Sequence, residues 1–139
     1  MNSMVHKKIA ALFLALGLMQ GCTPSSVEVV PLVRVICDPS QFHGKEIIVR
    51  GFLKVKHEDI AIYLSKDVAV AGLTENSLWV SESSEIKLHS KEGASSGELK
   101  LKDFDSSYVM IRGKFDYHSR GHMSGHSGTI LVDELFTVE

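Results

Sequence analysis

The fold is decided by residues 47–56, which read IIVRGFLKVK. Large apolar side chains occupy alternate positions on one side of this stretch (Ile47, Val49, Leu53 and Val55). A period of two is typical of a half-buried β-strand, because successive side chains of a strand point to opposite faces of the sheet. Gly51 interrupts the alternation, which indicates a bulge or a tight bend in this strand.

The same pattern returns near the end of the chain. Residues 109–113 read VMIRG and residues 47–51 read IIVRG, so both stretches carry the pattern apolar–x–apolar–Arg–Gly. We therefore expect two strands that bend at equivalent glycines for the same reason. A small β-barrel needs such bends, because its strands must curl before the sheet can close.

Alternating apolar residues predict five strands in all. Their expected positions are residues 47–56, 60–65, 78–81, 109–117 and 129–138. The longest connection, between the third and fourth strands, is polar and rich in Ser, Lys and Glu. The predicted fold class is therefore mostly β.

Two segments stay open between alternatives. Residues 32–37 are apolar and end at Asp38-Pro39, which stops either a short helix or a strand, because proline pushes the preceding residue out of the α region. Residues 81–107 form either a frayed helix or a loose hairpin between residues 86–88 and 99–101.

Five strands with the long insertion after the third is the order of an oligonucleotide/oligosaccharide-binding (OB) fold. The chain also resembles bacterial extracytoplasmic OB-fold domains in three stretches, at residues 42–45, 47–51 and 109–113, the last followed by a Gly/His-rich turn and Thr129-Ile130. The resemblance covers roughly residues 32–139. It implies a small five-stranded OB-like barrel with one short helix or irregular insertion between strands 3 and 4, and it carries over no catalytic residue. Another small β-barrel and an open sandwich are the alternative folds.

Residues 1–22 resemble the lipobox signal of bacterial lipoproteins. Lys7 and Lys8 form a positive start, and residues 9–19 form an apolar run of eleven residues. This run is shorter than the roughly 18 apolar residues that span a bilayer. Gly21 and Cys22 then supply a small residue and a thiol, so the resemblance implies cleavage before Cys22 and attachment of lipid, including palmitate, to its sulfur. An ordinary secretory signal with an incidental cysteine is the alternative.

The resemblance divides the chain into a signal peptide at residues 1–21, a lipidated tether at 22–30 and an OB-like domain at 31–139. The residue directly after the cysteine is Thr23 and not Asp, which is similar to the sorting pattern for the outer membrane. The expected location is therefore the periplasmic side of the outer membrane, where the lipid on Cys22 holds the protein to the membrane.

The composition of the mature chain makes some classes of ligand unlikely. Removal of residues 1–21 leaves 118 residues, with 13 basic and 17 acidic side chains and a net charge of −4. Nucleic acid is therefore an unlikely ligand, because its recognition needs a basic surface. With Cys22 lipidated, Cys37 has no cysteine partner, and we expect its side chain to pack as a small apolar residue.

The strand face opposite the apolar set is the candidate ligand surface. Alternation places five side chains there: Arg50, Phe52, Lys54, Tyr63 and Trp79. Exposed aromatic rings beside cations stack on sugars, bases or aromatic side chains. This predicts a non-catalytic binding module of the cell envelope with a protein or glycan ligand. The alternatives are ordinary half-exposed aromatic residues, or aromatic residues that the 81–107 insertion covers.

A second candidate site is a histidine-rich stretch with His118, His122 and His126 around Met123. Imidazole binds zinc, and imidazole with thioether suits copper or nickel. Residues four apart in a strand are about 13 Å apart, whereas two nitrogens on one zinc ion lie within about 4 Å of each other. Only a curled loop would join them. The alternative function is a metal-binding lipoprotein, and the simpler interpretation is a solvated connection between the fourth and fifth strands.

No motif predicts catalysis. Residues 93–97, GASSG, match the G-x-S-x-G pattern, but no apolar strand precedes them as a nucleophile elbow requires. The carboxylate pairs 58–59 and 133–134 are adjacent in sequence, and on a strand they point to opposite faces. We therefore expect no enzyme, and we keep a structural accessory subunit of an envelope complex as a third possibility.

Overall fold

The computed structural model describes residues 26–90 and 99–138. Within them lie six strands and two α-helices, with these bounds: β1 Glu28–Val29, α1 Leu32–Cys37, β2 Glu46–Lys56, β3 Asp59–Tyr63, α2 Lys66–Ala71, β4 Ser77–His89, β5 Ser107–Asp116 and β6 Thr129–Thr137. The predicted signal peptide, Cys22 and residues 93–97 lie outside the described residues. Neither described helix is long and apolar enough to cross a membrane.

All six strands belong to one sheet, so the prediction of a mostly β fold is confirmed. Their order is β1-β2-β3-β4-β6-β5, and β5 also pairs with β2. The pairing therefore returns from β5 to β2 and makes a ring of five hydrogen-bonded strands, and β1 pairs with β2 outside this ring. The β1–β2 and β4–β6 pairs are parallel, and the other pairs are antiparallel.

The two Arg-Gly repeats pair with each other in the ring. Ile47 lies opposite Gly113 and Gly51 lies opposite Val109, so a local two-fold relates the repeats. A Cβ on Gly51 would lie 2.6 Å from the Tyr63 carbonyl oxygen, and one on Gly113 would overlap the carbonyl of the facing strand β6. The common reason for these glycines is thus the close approach of another strand. Of these two glycines, only Gly113 lies beside a register shift, which is in the β5–β6 pairing, while the β2–β5 register runs through Gly51 unbroken.

The ring encloses the main apolar core. The inward set that alternation predicts is buried there, including Ile47, Val49, Leu53, Ile62, Leu78 and Val80. Helix α1 settles the open segment at residues 32–37 and adds Leu32 and Val35 to this core. The expectation that Cys37 packs as an apolar residue is wrong, because its thiol is exposed. Helical spacing puts Leu32 and Val35 on one face and turns residue 37 away from it.

Strand β4 is much longer than the predicted strand at residues 78–81. It extends to His89 because its second half pairs in parallel with β6, where Lys87 lies opposite Glu134. Residues 86–88 are therefore part of this strand, and the frayed helix and the loose hairpin are both wrong for them. After the undescribed residues, a short 3₁₀ turn at Leu101–Phe104 buries its two end side chains.

The folded unit includes part of the segment predicted to be a tether. Glu28 and Val29 pair with Ile47 and Ile48 of β2. The next residue, Val30, is 1% exposed and belongs to the core. The packed part of the chain therefore includes residues 28–30.

Helix α2 lies between β3 and β4, where no helix was expected. The Ser65 hydroxyl accepts a hydrogen bond from the Val68 N–H at its start, and Gly72 ends it with a left-handed φ of 71°. These are standard signals for the two ends of a helix. A helix of six residues is nevertheless too short to give a clear apolar periodicity.

Candidate ligand cleft on the outer face of the sheet

The outer face of the ring carries the aromatic residues that alternation assigned to it. Phe52 lies opposite Tyr63, and Ala61 lies opposite Trp79. Directly paired residues share a face of the sheet. The predicted face is therefore correct for these three aromatic side chains.

The expectation that Phe52 and Tyr63 are exposed is wrong. They are 4% and 1% exposed, and with Ala61 and Ala69 they form a second apolar cluster on the outer face. Helix α2 covers them by packing Ala69 and Val68 against the rings. Burial, and to a smaller extent the Asp59 carboxylate, raises the pKa of the Tyr63 hydroxyl.

Lys54 is engaged in a structural cluster. Its Nζ donates to Asp105 Oδ2 at 3.0 Å and to Ser106 Oγ at 2.7 Å. Asp105 Oδ1 accepts the Val55 N–H at 2.7 Å. Although partial burial opposes ionisation, these hydrogen bonds hold the pKa of Asp105 below its usual value. The cluster joins the end of β2 to the start of β5.

Arg50 is exposed on a different part of the outer face. It lines a groove with Val33, Leu64 and Tyr108, next to the start of α1. The five predicted ligand residues therefore do not form one surface: two are buried, one belongs to the Asp105 cluster, one lines this groove, and Trp79 lies elsewhere.

Trp79 lines a cleft between the β2–β3 turn and the β5–β6 loop. The cleft measures about 360 Å³, and we call it the Trp79 cleft. Its lining residues are Glu58, Asp59, Thr74, Trp79, His122, Met123, Gly125 and His126. It brings together one aromatic ring, two carboxylates and two imidazoles.

The β5–β6 loop is built around the indole of Trp79. Gly121 has a φ of 71°, and any Cβ there would overlap the indole ring. The His126 ring meets the indole edge-to-face, with 5.3 Å between centroids. The Arg120 Nε donates to the His126 carbonyl at 2.7 Å, and the backbone N–H of Trp79 donates to the Gly128 carbonyl at 2.9 Å. These contacts hold the wall of the cleft in place.

His126 is the buried centre of a polar cluster. It is 3% exposed, with Nδ1 2.7 Å from Ser77 Oγ and Nε2 3.3 Å from Asp59 Oδ1. The Ser77 hydroxyl donates its only hydrogen to the Thr74 carbonyl at 2.6 Å, so Nδ1 must donate to the serine oxygen. Burial lowers the pKa of His126, and the Asp59 carboxylate acts in the opposite direction.

Ser77, His126 and Asp59 have the composition of an acyl-transfer triad. In such a triad the serine must be accessible and must give its proton to the histidine. Ser77 is 0% exposed and its hydrogen is committed to Thr74, so this serine is not an available nucleophile. The Ser77–His126 hydrogen bond instead ties the β5–β6 loop to β4, and Asp59 at the start of β3 lies beside the imidazole.

The three histidines of the predicted metal site have different surroundings in the structure. His118 packs against His43, with ring centroids 4.6 Å apart, and His122 is exposed at the mouth of the Trp79 cleft. His126 is buried between Ser77 and Asp59. In residues 26–90 and 99–138, no group of three or more His, Cys, Asp or Glu side chains is placed to hold a metal ion.

Sequence reasoning missed Asp59 and Ser77 as parts of this site. The alternation that places Ala61 and Tyr63 on the outer face also places Asp59 there, so its position was accessible from the pattern. Nothing in the sequence signals that Ser77 meets His126, because the two residues are 49 positions apart.

Comparisons with known proteins show only distant similarity to solved structures. No protein-family profile matches the chain, and no curated protein sequence matches it significantly. Among solved structures, the chain is similar to one assigned as an aspartyl-tRNA synthetase of Leishmania major Friedlin, at 15% identity and a TM-score of 0.44. The match covers 96% of this chain and 26% of the synthetase chain.

Proposed function

We propose that this chain is a membrane-anchored, non-catalytic binding module of the cell envelope, and that its folded part is a five-stranded OB-like barrel with a protein or glycan ligand. The ring β2-β3-β4-β6-β5 has the strand order of an OB fold. The observation that carries the proposal is the position of the Trp79 cleft. It lies between the loop that joins the first two ring strands and the loop that joins the last two, where OB folds bind their ligands.

The charge of the cleft argues against nucleic acid as the ligand. Glu58 and Asp59 line it, and neither Lys nor Arg is among its described lining residues. Phosphate groups would be repelled there. The net charge of −4 on the mature chain acts in the same direction.

The anchor in this proposal is a lipid on Cys22, attached on the periplasmic side of the outer membrane. Radiolabelled palmitate is expected to label the wild-type chain in cells and to be lost in Cys22→Ser. Labelling that survives this substitution would contradict the anchor without affecting the cleft.

The binding function is tested by photo-crosslinking in intact cells. A photoreactive amino acid at Met123, which is 88% exposed at the cleft, is expected to give a discrete crosslinked partner. The matched control is the same amino acid at exposed Lys102, on the 3₁₀ turn outside the cleft. No product at Met123, or equal products at both positions, would contradict a ligand at the Trp79 cleft.

A further inference from the structure

We propose that the Trp79 cleft binds a basic side chain, an ammonium or a guanidinium group, that a protein partner presents. This inference rests on the proposed binding function and names the chemistry of its ligand. It is argued from the charge of the cleft, from its aromatic wall and from its rim.

The charge of the cleft is negative, with carboxylates that have few donors in the protein. Glu58 is exposed, and among the described residues its ion-pair partner is the exposed His57, 3.9 Å away. Asp59 Oδ1 is buried and accepts no hydrogen bond in the described structure, although His126 Nε2 lies 3.3 Å from it. The other titratable groups among the described lining residues are the imidazoles of His122 and His126. In the described part of the chain, a cation entering the cleft therefore meets two carboxylates and no lysine or arginine.

The indole of Trp79 adds a surface that also favours a cationic group. The indole is half-buried: the β5–β6 loop covers part of it at Gly121 and His126, and the rest lines the cleft. A cation within about 6 Å of an indole centroid is attracted by the ring, at roughly 0.5–2 kcal/mol depending on solvation. Aromatic ring and carboxylate together select a cation, whereas either alone is a weak signal.

The size and the rim of the cleft favour a protein side chain. A cleft of about 360 Å³ accommodates one long side chain. Met123, which lines its mouth, is 88% exposed. An exposed methionine beside a tryptophan is typical of protein interfaces. Met123 thus offers an apolar contact to the residues beside the inserted cation.

Trp79 is the only tryptophan of the chain, so its fluorescence reports on the cleft directly. The experiment titrates the full-length protein in detergent with a pentalysine peptide and with the same peptide acetylated on every lysine. Pentalysine is expected to change the Trp79 emission and to bind about tenfold more tightly than the acetylated peptide. An oligomer of glucosamine is the third probe, because it carries ammonium groups on a glycan.

The variant Glu58→Gln removes one carboxylate from the exposed turn without touching the core. It is expected to weaken pentalysine binding severalfold, whereas Glu82→Gln, an equal charge loss on exposed β4 outside the cleft, leaves the affinity unchanged. Equal binding of both peptides, or equal effects of both variants, would overturn the inference.

Two further outcomes separate this inference from the proposed function. If the glucosamine oligomer changes the emission and pentalysine does not, the cleft is a glycan site and only the inference fails. If crosslinking at Met123 captures a partner and no cation alters the emission, the binding function stands and the ligand is not basic. If neither crosslinks nor emission changes occur, both proposals fail.

Discussion

The aromatic side chains in two halves of the same outer sheet face differ in burial. In one half, which we call the closed half, Phe52 and Tyr63 lie beneath α2 and are almost fully buried. In the other, the Trp79 cleft, the β5–β6 loop covers only part of the indole and leaves a concave surface. The covering elements explain the difference. Helix α2 presents Ala69, a small apolar side chain that fills space, whereas the loop presents a glycine and the polar group of His126.

The comparison teaches that the same strand pattern serves two purposes. Apolar covering turns outward-facing aromatic rings into a second core, which contributes to stability through burial of apolar surface. Polar covering leaves an aromatic ring beside carboxylates and imidazoles, an arrangement that buries less apolar surface and that, in the proposed function, contacts the ligand. Substitutions in the two halves should therefore separate loss of stability from loss of binding.

The largest expected effect is in the closed half. Phe52→Ala is expected to lower the free energy of unfolding by about 3–5 kcal/mol, because it leaves a cavity between β2 and α2. Urea denaturation measures it. Trp79→Ala is expected to cost less, since this side chain is only half-buried. A cost for Phe52→Ala no greater than that for Trp79→Ala would remove the distinction between the two halves.

An intermediate effect is expected at Gly121, and Gly72 is its matched control. Both glycines have a φ of 71°, but a Cβ at Gly72 meets nothing within 4 Å, whereas one at Gly121 overlaps the Trp79 ring. Gly72→Ala is expected to cost about 1 kcal/mol from the backbone alone. Gly121→Ala is expected to cost about 2–3 kcal/mol and to shift the Trp79 emission. Equal costs with unchanged emission would mean that Gly121 does not support the indole.

The smallest expected effect is a pH dependence from His126. Because burial lowers its pKa below the unfolded value of about 6.5, the unfolded chain binds more protons at this site. Stability from the neutral imidazole is therefore complete above about pH 6.5 and is lost as the pH falls through that value. Asp59 opposes the shift and keeps the effect small.

Thermal unfolding between pH 7.5 and 5.5 measures this dependence. The wild-type midpoint is expected to fall on acidification, and His126→Gln should reduce that slope. The control His118→Gln, at an exposed position, should retain the wild-type slope. A midpoint in His126→Gln that falls as steeply as in wild type would assign the dependence to other groups.

The alternation of apolar and polar residues predicts those strands that have one face in the core and one face outside the ring. Ile47 and Val49 face inward and their neighbours face outward, so the sequence of β2 records its own orientation. The second half of β4 could not be found in this way. It reads mostly Ser, Glu and Lys, and it is a strand because β6, more than 40 residues later, pairs with it.

The candidate site was predictable only in part, for a related reason. Alternation placed Trp79 on the correct face, but exposure depends on what covers that face, and α2 has only Ser65 and Gly72 as local signals. The spacing of four residues between His118, His122 and His126 predicts that His126 is a metal ligand. Its partners Ser77 and Asp59 come from other strands, so its burial is a property of the assembled ring.

The pairing of β4 has a consequence for solubility. Among the described strands, β4 pairs with β3 only at residues 77–79, and beyond Trp79 its strand partner is β6 alone. A one-sided strand offers unpaired N–H and C=O groups to other chains, which is the usual route to edge-to-edge aggregation. Here the exposed side chains Glu82, Glu85 and Lys87 are charged. The register of the β4–β6 pairing also shifts between Glu82 and Lys87. Charges and irregular backbone at an edge discourage such pairing, so this edge of the sheet is protected against pairing with other copies of the chain.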